Sequence, residues 1–240
     1  GVDEKVMIAA QVIEYLHTAT LLHDDVVDGA LTRRKKITVC RKWGNEASVI
    51  SGDYLLAMAF HNLTKLKNLE VMDLISDTTT KMAKGELFQL IRSFDTINEE
   101  EYLEIIINKT ASLFAAAIKM GALLAGAEKE SANLLYEYGL KLGIAFQIVD
   151  DALDYTDEKK TGKPIGGDLQ ERKITLPLSR LINKANNTDK KRLFSILSLK
   201  KIKKTHIKEV INLRQKYDSI NYTFEVSKKY TKQAINIVEN

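Results

Sequence analysis

Two stretches of the chain end in the same way. Leu21-Leu22-His23-Asp24-Asp25-Val26-Val27-Asp28 closes one apolar helical run, and Phe146-Gln147-Ile148-Val149-Asp150-Asp151-Ala152-Leu153-Asp154 closes another. Asp24 and Asp28 are four residues apart, as are Asp150 and Asp154, so each pair shares one face of a helix. Like charges at that spacing cost a helix a few tenths of a kcal/mol (about 0.2–0.5). Nothing nearby in sequence compensates for them, so the pattern calls for a cation from outside. All-carboxylate ligation, without Cys or ligand-spaced His, suits a hard ion such as Mg²⁺, which keeps waters and shares its sphere with phosphate. A single acidic helix end reads as a solvated face. Two, each closing an apolar helix, imply helices that bring carboxylates face to face across a cavity.

The rest of the chain is built for helices. Two prolines and twelve glycines in 240 residues leave long uninterrupted segments. Hydrophobic content of 45% and charged content of 28% are those of a globular protein. The net charge of +4 is small and the lysines are spread widely, which argues against a nucleic-acid partner. A lone cysteine, Cys40, excludes an internal disulfide framework and fits a reducing, cytoplasmic compartment. No uninterrupted apolar run reaches the roughly 18 residues of a membrane span, and no signal-peptide pattern is found. The fold expected is all-α: a single large helical bundle around a deep apolar cavity with a polar mouth.

Residues 4–27 read as one helix, with Val6, Ala9, Ala10, Ile13, Leu16, His17, Thr20 and Asp24 at three- and four-residue steps. Residues 29–43 form a basic loop containing Arg33 and Arg34, whose planar forks suit phosphate oxygens. Helices follow at 45–66, where Gly52 allows close packing, and at 69–93. Asn98 and Glu101 form a capping-box pattern ahead of a helix to Leu124, which carries the polar pair Lys109-Thr110. Residues 128–156 hold the second motif, with Gly139 and Gly143 as a close-packing pair and Gln147 three residues before Asp150. The loop 157–174, Gly-rich around Gly166-Gly167, lacks the spacing of a Walker-type phosphate loop. After Pro177 the helices are shorter and more polar, and the basic run Lys200 to Lys208 reads as solvated.

At these residues the sequence resembles the trans-isoprenyl diphosphate synthases, from about residue 5 to about residue 180. The stretch from Glu14 to Asp28 is most similar to the long-chain, octaprenyl-type members. The resemblance implies a Mg²⁺-dependent prenyltransferase that condenses isopentenyl diphosphate with an allylic diphosphate into a long all-trans polyprenyl diphosphate, a quinone side-chain precursor. It implies up to three Mg²⁺ ions, held by Asp24, Asp28, Asp150, Asp151 and Asp154, with Asp25 in support. His17 and Arg34 would bind isopentenyl diphosphate; Arg33, Lys109, Lys163 and Lys173 the allylic diphosphate; Thr110 would also bind substrate, and the Gln147 amide would lie near the reacting carbons. The loop 157–174 resembles the family's closing flap. Lys35-Lys36-Ile37 stands where the family has Gly and Lys-Pro, and Arg172 where it has Gly. The family is usually homodimeric, and a weak membrane-surface contact would serve release of a lipid product.

The chain starts at Gly1 within a helical pattern, and the family's upstream Gly-Gly-Lys motif is not found in it. The expectation is one polyprenyl synthetase domain, 1–240, lacking N-terminal helices and the C-terminal end. Ala19 and Thr20, one turn before Asp24, are the candidate chain-length residues, both small enough to let a product grow past them. Two alternatives stand beside this reading. A class I terpene cyclase would carry an Asn/Ser/Glu-rich second motif, and a regulatory subunit would lose the aspartates.

Overall fold

The computed structural model describes residues 4–33, 36–91, 98–155, 166–199 and 201–239. The fold is all-α as expected; among the described residues the strands are β1 (Thr32–Arg33) and β2 (Lys36–Ile37), an antiparallel pair. The chain divides into two compact units, Gly1–Thr79 with Ala116–Asn133, and Thr80–Ala115 with Leu134–Asn240.

The first unit is built on α1 (Glu4–Val27) against α3 (Asn45–Lys65), with the short α2 (Val39–Trp43) between them in sequence. Helix α1 buries Ala9, Val12, Leu16 and Ala19. That stripe differs from the predicted one. Val6, Ala10 and His17 are exposed, and Ile13, Thr20 and Asp24 are half-buried on the same side. Gly52 has the expected packing role: a Cβ there would lie 2.3 Å from the His23 ring. Ser48 Oγ donates to the Leu22 carbonyl at 2.9 Å, and His23 Nε2 lies 3.2 Å from both the Val49 carbonyl and Asp53 Oδ1. His23 is therefore a packing residue.

The second unit takes the C-terminal part of α4 (Leu69–Ile91), then α5 (Glu99–Ile106), which opens on the predicted capping box of Asn98 and Glu101. The helix runs on to Leu124, but through a π-helical turn, Ile107–Ala111, before α6 (Ser112–Leu124), whose residues from Ala116 belong to the first unit. Sequence periodicity does not reveal this turn. Helix α7 (Lys129–Leu153) crosses close to it: a Cβ on Gly143 would sit 2.6 Å from Ala111 Cα. From the α4 side, a Cβ on Gly85 would sit 2.6 Å from Lys109 N. Two bare glycine backbones thus pinch the turn that carries Lys109 and Thr110. Around it Tyr102, Ile105, Ile106, Ala111, Ile144, Ile148 and Leu176 form one buried cluster.

A second cluster joins the short helices α8 (Gly167–Gln170), α9 (Leu176–Lys184), α10 (Asn187–Leu197) and α11 (Lys204–Lys216). Leu169, Leu178, Leu181 and Leu193 are wholly buried there, each worth about 1.5–3 kcal/mol of transfer from water. Pro177 stands in the first turn of α9, where its missing N–H costs nothing. Asn186 caps α10 through the Asp189 amide, and α12 (Ser219–Glu239) closes the unit.

The helical stretch Glu99–Leu124 is long and apolar enough to cross a membrane by length and composition, with mean hydropathy 1.2. Glu104, Asn108 and Lys109 interrupt it, so it holds no uninterrupted apolar run of that length. Tyr102, Ile105, Ile106, Ala115 and Ala116 on it are buried within the protein.

Candidate active site

In the first unit, the helical turn continues past the end of α1: the Asp28 amide donates to the Asp24 carbonyl at 2.8 Å. Both carboxylates are half-buried and keep the shared face that their spacing demands. Asp25 points the other way and is 4% exposed. Its Oδ1 accepts from Arg33 Nε at 2.8 Å, so the first arginine of the basic loop is held by the motif itself. The hairpin supplies the geometry, with Arg33 paired to Lys36 across the two strands. Thr38 then caps α2 and donates to the Ala30 carbonyl at 2.6 Å. Arg34 lies outside the described residues.

His17 is exposed on α1, seven residues before Asp24 and on its side of the helix. Thr20 shares that side, with Oγ1 donating to the His17 carbonyl at 2.8 Å. Ala19 does not. It is 2% exposed, on the stripe that packs inside the unit. At about 100° per residue, four residues back from Asp24 returns within about 40° of it, while five residues back is about 140° away. Of the two predicted chain-length residues, the structure therefore places Thr20 with the aspartates and Ala19 in the core.

In the second unit a chain of hydrogen bonds joins three helical segments. Thr110 Oγ1, on the π-turn, donates to Gln147 Oε1 at 2.8 Å. Gln147 Nε2 donates to Asp151 Oδ1 at 2.8 Å, and Tyr102 OH donates to Asp151 Oδ2 at 2.7 Å. Asp151 is 5% exposed. Burial pushes its carboxyl up to about 7; Asp150 and Asp154 add to the rise, and the bonds from Tyr102 and Gln147 oppose it. Burial likewise raises the Tyr102 phenol, which stays a donor. Each Asp151 oxygen thus accepts a hydrogen bond, and Asp151 anchors both Gln147 and Tyr102. Lys109 Nζ forms an ion pair with Glu86 Oε2.

Helix α7 ends at Leu153, and its last turn carries on as the Asp154 amide donates to the Asp150 carbonyl at 3.2 Å. The Asp154 carboxylate accepts from the amides of Gly167 at 3.2 Å and Asp168 at 3.1 Å, at the start of α8. Asp168 itself is raised well above the usual carboxylate range, first by burial and then by Asp154 and Asp151. Lys173 donates its amide to the Asp168 carbonyl at 2.8 Å and its Nζ lies 2.8 Å from Glu171 Oε2. Arg172 has φ +60°, the left-handed region glycine prefers, and donates Nη2 to the Leu199 carbonyl at 2.8 Å. Lys163 lies outside the described residues.

Among the described residues, no group of three or more His, Cys, Asp or Glu is arranged to hold a metal ion. What is present is one carboxylate pair at each of two helix ends, all oxygen donors. That fits Mg²⁺ bound through one or two carboxylates and completed by water and phosphate, and does not fit a closed all-protein cage.

Three residues of this arrangement escaped the sequence reading. Tyr102 and Glu86 sit on helices with no local sign of their partners, 49 and 23 residues away along the chain. Asp168 belongs to the Gly-rich loop, and its closeness to the second motif was the available signal.

The two helix ends and the all-α architecture define a protein of the isoprenoid-synthase fold. The polyprenyl synthetase family model matches residues 2–214, and the chain belongs to that family. It is 47% identical over 171 residues to the octaprenyl diphosphate synthase of Escherichia coli, covering 70% of this chain and 53% of that protein. It is 36% identical to the geranylgeranyl diphosphate synthase of Saccharolobus solfataricus, over 98% of this chain and 73% of that one. A crystal structure of polyprenyl synthase from Caulobacter crescentus, complexed with calcium and isoprenyl diphosphate, superposes with a TM-score of 0.91. It shares 35% identity over 99% of this chain and 73% of that one. The chain thus spans about half the length of the Escherichia coli relative.

Proposed function

We propose that this chain carries out prenyl chain elongation: isopentenyl diphosphate is condensed with an allylic diphosphate into a long all-trans polyprenyl diphosphate. The observation that carries the reading is the intact turn at each aspartate pair, Asp24 with Asp28 and Asp150 with Asp154, in a member of the polyprenyl synthetase family. These four residues are the proposed Mg²⁺ ligands, and bound Mg²⁺ would supply charge neutralisation for the departing diphosphate.

The chain's own residues do the rest. Arg33 and Lys109, held by Asp25 and Glu86, and the lysines Lys163 and Lys173 add positive charge against the diphosphate oxygens. The allylic C–O bond breaks and its electron pair leaves with diphosphate. The Gln147 amide, fixed between Thr110 and Asp151, presents an oriented dipole to the allylic cation. The isopentenyl double bond supplies the electrons of the new C–C bond, and a proton passes to the released diphosphate, restoring a double bond. His17 and Arg34 are the proposed holders of isopentenyl diphosphate. Thr20 sets part of the room for the growing chain, and its small size favours a product of hexaprenyl length or beyond. A homodimer in the cytoplasm, with a weak membrane contact for product release, completes the proposal.

The test is an assay of the purified chain with Mg²⁺, farnesyl diphosphate and labelled isopentenyl diphosphate. Labelled prenols should appear after dephosphorylation, and none in EDTA. Equal incorporation with and without metal would reject the proposal.

A further inference from the structure

Helix α11 turns Ile207, Val210 and Arg214 into the core, at positions i, i+3 and i+7. The last of these is a guanidinium where an apolar side chain would cost less, since burying an ion carries a penalty of several kcal/mol. Arg214 is 5% exposed. Its Nη2 donates to the Tyr155 carbonyl at 3.1 Å, and the guanidinium lies 4.7 Å from the centre of the Tyr155 ring. Nε and Nη1 are buried without a hydrogen-bond partner among the described residues. Tyr155 is the residue after Asp154, and its hydroxyl is itself fixed 3.1 Å from Thr175 Oγ1. On the far side of Asp154, Gly166 donates its amide to the Asp154 carbonyl at 2.9 Å, and a Cβ on Gly166 would meet Ile207 Cγ2 at 2.7 Å. One face of α11 therefore lies against both Tyr155, which follows Asp154 in the chain, and Gly166, which donates to the Asp154 carbonyl.

We propose that Arg214 is a positioning residue for the second aspartate pair. By holding the Tyr155 carbonyl and ring it fixes where the turn after α7 leaves the helix, and so where the Asp154 carboxylate points. Arg214 touches neither substrate nor metal in this account. A buried cation is the residue for this task because it grips a carbonyl and an aromatic face together, which no aliphatic side chain does.

The experiment compares the full chain with Arg214→Met, which fills the space without charge, and Arg214→Lys, which keeps a cation and a donor. The first readout is residue-resolved amide exchange at Gly167 and Asp168, the amides that Asp154 holds. Exchange should quicken about tenfold in Arg214→Met and about threefold in Arg214→Lys, since a loosened acceptor raises the open population. The second readout is the Mg²⁺ concentration that half-saturates binding of a non-hydrolysable allylic diphosphate. It should rise about tenfold in Arg214→Met, the lower end of the range for losing a residue that orients a metal ligand, and recover in Arg214→Lys. Wild-type exchange in both variants would overturn the proposal, as would a lysine variant no better than methionine. If Arg214→Met does not fold, the lysine variant decides alone on the same exchange criterion. The diphosphate readout rests on the function proposed above and the exchange readout does not. Faster exchange in a chain whose wild type binds no diphosphate would keep the positioning role and reject the enzymatic reading.

Discussion

Thr110 donates its hydroxyl to the side-chain carbonyl of Gln147 at 2.8 Å, across 37 residues of sequence. The bond fixes which end of the Gln147 amide faces Asp151, because the carbonyl is used by Thr110 and the NH₂ is left to donate. Thr110→Val keeps the shape and removes the donor. An unsatisfied acceptor in a half-buried site costs about 1–3 kcal/mol. The expected outcome is a lower thermal midpoint and a slower condensation rate, with allylic diphosphate binding retained. A variant with wild-type stability and rate would show that the bond orients nothing.

The π-turn depends on two glycines that give a side chain no room. Gly143→Ala and Gly85→Ala each bring a methyl to 2.6 Å from backbone, so each should destabilise by about 1–3 kcal/mol. Gly121→Ala is the control, with nothing within 4 Å of its Cβ. In mid-helix it should be neutral or stabilising by up to about 1 kcal/mol. Urea denaturation of the three variants separates close approach from general glycine effects.

The cap of Asn98 with Glu101 was legible because its cause is local, the two residues lying within one turn of each other. The paired carboxylates were legible because four-residue spacing fixes a face. The π-turn was not, since Gly85 and Gly143 are remote from it in sequence and act only in the packed state. Nor was the split between Ala19 and Thr20, because small residues carry no signal of which face is buried. Asp151 was read as a ligand by its motif, and only the fold reveals Tyr102 beside it.

Arg172 occupies a left-handed backbone conformation at φ +60°. Arg172→Gly should gain about 1 kcal/mol of relieved backbone strain and lose the bond to the Leu199 carbonyl, leaving stability close to wild type. Arg172→Ala loses the bond and keeps the strain, so it should be the less stable of the two by thermal melting. The reverse order would mean that the left-handed backbone conformation carries no strain there.

Product length should respond to Thr20 and not to Ala19. Tyrosine at Thr20 adds bulk on the Asp24 side of α1 and should shorten the dephosphorylated products seen by chromatography. Tyrosine at Ala19 overpacks a site that is 2% exposed and should lower stability by about 1–3 kcal/mol or more, with product length unchanged in the folded fraction. Shortening by Ala19→Tyr alone would place the cavity on the other side of the helix.

The central claim is that the paired carboxylates recruit a diphosphate only through a divalent cation. Isothermal titration of a non-hydrolysable allylic diphosphate into the chain tests it directly, in Mg²⁺ and in EDTA, for wild type, Asp24→Asn and Asp150→Asn. Binding is expected for wild type in Mg²⁺, should vanish in EDTA, and should weaken about tenfold or more in each variant. Equal affinity in EDTA, or both variants binding as wild type does, would contradict the account.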